Sequence, residues 1–242
     1  MQKLVTTIVV AFLFASSFSA CGNAEAEKAA AAAKQKAFME AEAQARTAEE
    51  DKERKEKTDA ATQKCSAGDA QGCIDLGKVK LETKDAAAAV KAFDDACDKK
   101  SKEGCALAAQ HSKAPADALP RHQKGCALDD ADACVAAIGA LDALAKAGQT
   151  VDPQAQLALL DKACNLGIGR TCTALGVLTV AADTKGAADA FDRGCKAKEP
   201  TACVQLADLY KNGKIGKKKD DKKAAALLKE ACDLGLVDVC TK

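Results

Sequence analysis

Thirteen cysteines in 242 residues are the chain's most conspicuous reactive groups. Twelve of them fall into pairs at one spacing, C-x7-C: Cys65 and Cys73, Cys97 and Cys105, Cys126 and Cys134, Cys164 and Cys172, Cys195 and Cys203, Cys232 and Cys240. Paired cysteines can hold a metal, exchange electrons or form structural disulfides. Structural zinc sites favour shorter intervals, typically C-x2-4-C, and recruit histidine. The chain has only two histidines, His111 and His122, and no H-x-H or H-E-x-x-H. No metal is therefore assigned. Within one helix, residues eight apart are separated by about 12 Å along the axis, whereas a disulfide needs Cα atoms within roughly 7 Å. Each pair can bond only if the chain turns back between its two cysteines. A C-x7-C disulfide then staples the end of one helix to the start of the next.

Other chemistry leaves little trace. There is no S-x-x-K, G-x-S-x-G, Walker loop or G-x-G-x-x-G, so no catalytic residue and no cofactor is assigned. The chain balances 36 basic against 35 acidic residues. Residues 1–20 contain Lys3 and no acid, so the remainder is neutral, which gives no support to nucleic-acid binding. His122 reads as a packing side chain, Tyr210 as an interhelical one, and KIGKKKDDKK at 214–223 as a solvated turn.

The elements that position the cysteines follow from offsets. Counting back from the first cysteine of each later pair, position −12 holds Asp85, Asp152, Asp183 and Asp220, with Ala114 as the exception. Position −4 holds Phe93, His122, Leu160, Phe191 and Leu228, and position −1 holds Ala96, Gly125, Ala163, Gly194 and Ala231. These offsets have helical spacing. The aspartates suit helix N-caps, and the small residues admit a close neighbour. Beyond the second cysteine a second helical pattern begins, with Leu76, Ala108, Ala137, Leu175 and Leu206 at +3. The unit is an antiparallel helix pair, repeated about every 29 to 38 residues, a period of solenoids. Hydrophobic residues reach 48% and aromatics only 3%, so an all-α fold with a thin, alanine-rich core is expected. Pro115 and Pro120 predict an abbreviated or kinked helix in the second repeat.

The N-terminus reads as an export signal. MQK leads into the apolar run LVTTIVVAFLFA, and SSFSA brings small residues up to Cys21. That run is short for a membrane span. Residues 24–64 are rich in Ala, Glu and Lys and contain no Leu, Ile or Val. They predict a helical spacer without a coiled-coil seam, about 60 Å long if fully helical.

L-Y-K-N-G at 209–213, D-x-x-K-A at 220–224 and A-C-D-L-G at 231–235 resemble the Sel1-like repeat, a relative of the tetratricopeptide repeat. The C-x7-C junctions resemble its cysteine-rich, disulfide-bonded secreted branch. The resemblance covers 65–242 and implies an α-solenoid of about five repeats that binds protein partners. Members of that branch often carry β-lactamase or penicillin-binding descriptions. The alternative implied is therefore binding of β-lactams or peptidoglycan fragments, or weak β-lactam hydrolysis. F-S-A-C resembles a bacterial lipobox, which makes Cys21 the lipidation site. Gly22 after it, rather than Asp, favours the outer membrane. The expected organisation is a lipoprotein signal peptide at 1–20, a lipid-anchored helical tether at 21–64 and a repeat solenoid at 65–242.

Overall fold

The computed structural model describes residues 24–215 and 219–240. The expected signal peptide and Cys21 lie outside the described residues. Eleven α-helices and a short 3-10 turn make up the described elements, with no strand among them. Helix α1 (Ala24–Ser66) is followed by α2 (Ala70–Glu82), α3 (Ala86–Asp98), α4 (Lys102–Gln110), α5 (Pro115–Ala127) and α6 (Ala131–Lys146). Then come α7 (Pro153–Asn165), α8 (Gly169–Thr179), α9 (Thr184–Lys196), α10 (Pro200–Lys211), α11 (Asp221–Asp233) and the turn Val237–Val239.

Two compact units divide at Lys55 and Glu56. In the first, the described part of α1 is almost wholly exposed, as expected of a helix without branched apolar residues. In the second, the helix continues without a break through the tether boundary expected at residue 64. Ala61 and Cys65, one turn apart, are buried there.

The even-numbered helices α2 to α10 and the odd-numbered helices α3 to α11 form five pairs, each packed on its neighbours along the chain. Contacts also join helices two apart, such as α3 with α5 and α8 with α10. This is the stacking of a solenoid, in which each unit touches only its neighbours.

All six C-x7-C pairs are disulfides. Their Cα separations run from 4.4 Å at Cys65–Cys73 to 5.0 Å at Cys232–Cys240. The turn that makes this possible is the same each time. Three residues past the first cysteine stand Gly68, Lys100, Asp129, Gly167, Lys198 and Gly235, all with positive φ. The next backbone N–H reaches back across the helix end, as Ser101 N–H does to the Ala96 carbonyl at 3.1 Å and Glu199 N–H to the Gly194 carbonyl at 3.0 Å. This is a helix stop with a left-handed residue. The residue after it opens the next helix: Asp69, Ser101, Asp130 and Glu199 accept backbone N–H bonds as N-caps. On the opposite edge, Asp85, Asp152, Asp183 and Asp220 cap α3, α7, α9 and α11.

The second repeat departs from the expected shortening of its second helix. Helix α5 is not abbreviated; it has 13 residues, like α3, α7, α9 and α11. Pro115 occupies the first helical turn, where no N–H partner is needed. Pro120 lies in the second turn on an exposed position and removes a single backbone bond. The short element is α4, with 9 residues against 16 in α6.

Side-chain sizes are matched across each pair. Gly77 faces Phe93 and Gly176 faces Phe191, and a Cβ at either glycine would sit 2.3–2.4 Å from a ring carbon. Both rings are fully buried. At the same two offsets Ile138 instead packs with Leu160. A Gly176→Ala variant is expected to lose about 1–3 kcal/mol, the usual cost of overpacking. Adding Phe191→Leu should recover part of that loss in urea titrations. A Gly176→Ala protein as stable as the parent would show that the ring has room to move.

Candidate interaction surface

The disulfides occupy one edge of the solenoid and the turns within each helix pair occupy the other. That second edge is uneven because α4 ends early. His111 closes α4, Ser112 to Ala114 link it to α5, and α6 is longer by nearly two turns. Two clefts open on either side of this linker.

The first cleft, of about 290 Å³, lies between the start of α3 and α5 and is bordered by Ala86, Val90, His111, Lys113, Asp117 and Arg121. Its floor is held by Arg121. The guanidinium forks onto Asp94, with Nε to Oδ1 at 2.7 Å and Nη2 to Oδ2 at 2.6 Å. Nη1 donates to Ser112 Oγ at 3.2 Å and to the Asp117 carbonyl. The hydrogen bonds that Arg121 donates to the Asp94 carboxylate raise its pKa. The Ser112 hydroxyl donates in turn to the Ala108 carbonyl at 2.9 Å. It is thereby committed to structure on both sides. His111 stacks on Phe93 with ring centroids 5.8 Å apart.

The second cleft, of about 350 Å³, lies between α5 and α6. Small side chains line it, among them Ala114, Ala118, Ala136, Gly139 and Ala143. His122 faces it from position −4 of its repeat, where the other repeats place Phe or Leu. Burial lowers the His122 pKa, opposed in part by the charge of Asp130, so the imidazole is held neutral near pH 7. With Ser112 and Lys113 at its border, the neutral imidazole among alanines makes a shallow recess of mixed polarity.

The other residues singled out from the sequence are spread along the fold. Tyr210 packs beside Leu206 and Leu209, with the Lys223 ammonium 4.8 Å from its ring centre. Of the run 214–223, residues 216–218 lie outside the described part, and Asp220 within it caps α11. Cys195, Cys203 and Glu230 converge, but the two sulfurs are bonded to each other, and Glu230 pairs with Lys198 at 3.7 Å.

Sequence reasoning passed over two sets of residues. The caps Asp69, Ser101, Asp130 and Glu199 recur four residues after a first cysteine, with Ile168 and Leu236 as the exceptions. Ion pairs also join one repeat to the next: Lys124–Asp98 at 2.6 Å, Lys162–Asp129 and Arg193–Asp161 at 3.1 Å. Their cations all sit two residues before a first cysteine. These pairs are largely exposed and add little stability. Arg121–Asp94, half-buried and bidentate, is the exception in kind.

No protein-family model matches the chain, and no curated protein matches it. Solved structures do. A Sel1 repeat protein from Oxalobacter formigenes is 18% identical over 72% of this chain and 76% of its own, at a TM-score of 0.47. The cysteine-rich protein B of Helicobacter pylori is 25% identical over 52% of this chain and 92% of its own, at 0.39. Another, c5321, is described as a protective antigen present in uropathogenic Escherichia coli strains displaying an SLR fold. It is 18% identical over 74% of this chain, at a TM-score of 0.49, and the match spans only 41% of its length. All three likenesses have TM-scores under 0.5, so the description of the repeats rests on their own helix pairs and junctions, and the likenesses add no residue role to it.

Proposed function

We propose that this chain is an exported, lipid-anchored scaffold whose Sel1-like repeats bind a segment of a partner protein. The observation that carries the reading is the cleft between α5 and α6. Its alanines and Gly139 suit a small apolar side chain, and His122, Ser112 and Lys113 at its border suit the polar backbone beside it. A volume of about 350 Å³ accommodates one or two such side chains.

Six disulfides belong to an oxidising, extracytoplasmic compartment. No helix among the described residues is long and apolar enough to cross a membrane. Export through the N-terminal signal and acylation of Cys21 in the outer membrane are consistent with both facts. Residues 21–64 would then serve as the tether, and the repeats from Cys65 onward as the binding part.

Gly139 offers a selective test, because a Cβ there would meet no atom within 4 Å. A Gly139→Leu variant is expected to fold normally and to fill the cleft. Cross-linked pull-downs from envelope extract should lose, with this variant, the partner that the parent protein captures. Equal capture by both proteins would move the contact elsewhere. Saturable nitrocefin turnover by the purified protein would overturn the scaffold reading itself. For the anchor, Cys21→Ser is expected to leave the membrane fraction, and a variant that remained membrane-bound without acylation would refute lipidation.

A further inference from the structure

The chain's only two histidines stand on either side of one linker, the one between α4 and α5. His111 closes α4 and borders the first cleft, and His122 lies in α5 and borders the second. Histidine is the side chain whose ordinary pKa places its change of charge between about pH 5 and pH 8. A response to mild acidification is therefore concentrated on these two walls. In the cleft between α5 and α6, the only charged side chain that joins His122 in the lining is Lys113.

His122 is built in as a packing residue. It takes the −4 position that Phe93, Leu160, Phe191 and Leu228 fill in the other repeats, and it is half-buried there. Among the described residues no group is hydrogen-bonded to its ring. Burial opposes its protonation, and the charge of Asp130 at the start of α6 favours it in part. Lys113 on the linker carries the same sign as an imidazolium and disfavours it.

The remaining charges on the elements around α5 supply no second counter-ion. From α3, Asp94 and Asp98 pair with Arg121 and Lys124, and Lys91 is exposed. From α4, Lys102 donates to the Asp129 carbonyl and Glu103 pairs with Lys78. From α6, Asp132 and Lys146 are exposed and Asp142 accepts from Gln156. From α7, Asp152 caps the helix, and Asp161 and Lys162 pair with Arg193 and Asp129. Asp117 on α5 itself is exposed.

Building on the binding role given to this cleft above, we propose that His122 makes its occupancy depend on pH: the neutral ring admits the apolar side chain of a partner segment, and protonation in mildly acidic surroundings expels it. The sign follows from solvation. An apolar side chain seated beside the ring removes water from it, and an imidazolium stripped of water without a hydrogen-bonded partner is costly. The occupied cleft holds the proton less readily than the open one. Binding then releases a proton, and affinity falls as the pH drops through the titration of the open cleft. By the same linkage, an occupant lowers the pH at which His122 titrates.

The test uses the oxidised full-length protein and N-acetylvaline N-methylamide, which offers one small apolar side chain between two amides. Binding is read from the Gly139 amide signal by NMR, and protonation from the His122 ring signals. The compound is expected to shift Gly139 at about pH 7.5 and to bind at least about threefold more weakly at about pH 5.5, with the helical circular dichroism unchanged. Its presence should move the His122 titration to lower pH. His122→Leu, which installs the side chain of the Leu160 and Leu228 positions, should abolish the pH dependence, and His111→Gln should keep it. Equal affinity at the two pH values overturns the proposal. A dependence that survives His122→Leu, or is lost with His111→Gln, overturns it as well. No shift of Gly139 at either pH would instead overturn the binding role of the cleft, and the pH response with it.

Discussion

The fold depends on how closely two helices must approach for a C-x7-C disulfide to close. Cα atoms 4.4–5.0 Å apart leave no room for ordinary side chains beside the bond. At four junctions, the residues preceding the two cysteines include a glycine that meets its counterpart. Gly104 lies against Ala96, Gly125 against Ala133, Gly194 against Ala202, and Gly72 against the Lys64 Cβ. The constraint also dictates the turn: a left-handed residue at one position and an N-cap at the next. The left-handed residue is common to all six junctions, whereas Cys164–Cys172 and Cys232–Cys240 close with Ile168 and Leu236 at the cap position and no side-chain cap.

Such staples matter because the interior offers little else. The largest fully buried side chains are Phe93, Phe191 and Ile74, followed by cysteines. Alanine supplies most of the remaining core. Each alanine removes little apolar surface from water, while ordering the backbone costs about 1–2 kcal/mol per residue. A disulfide closing so short a loop contributes roughly 2–3 kcal/mol in the chain-entropy view. In a solenoid, stability is a sum of local terms and nearest-neighbour terms. One staple at every junction therefore reinforces the interface that a thin core leaves weakest.

The fold is readable because its determinants repeat at fixed offsets. The eight-residue cysteine interval implies a turn, and the aspartates at −12 imply helix starts at the residues where α3, α7, α9 and α11 begin. The pairing of Gly77 with Phe93 is present at +4 and −4 but has no meaning until the two helices are placed side by side. The prolines mislead because their effect depends on position within the helix. Pro115 starts α5 rather than ending it, and the shortening falls on α4. The candidate cleft is not legible for the same reason: it arises from a length difference between α4 and α6, in separate repeats. His122 stands out as a departure from Phe and Leu, and that departure does lie in the cleft wall.

The central claim is that every junction from Cys65 to Cys240 is closed locally by its own disulfide. Proteolysis of the unreduced protein followed by mass spectrometry tests it most directly. The account predicts six crosslinked species, each joining cysteines eight residues apart. A crosslink between cysteines of different junctions, or a free thiol among the twelve in freshly purified protein, would contradict it.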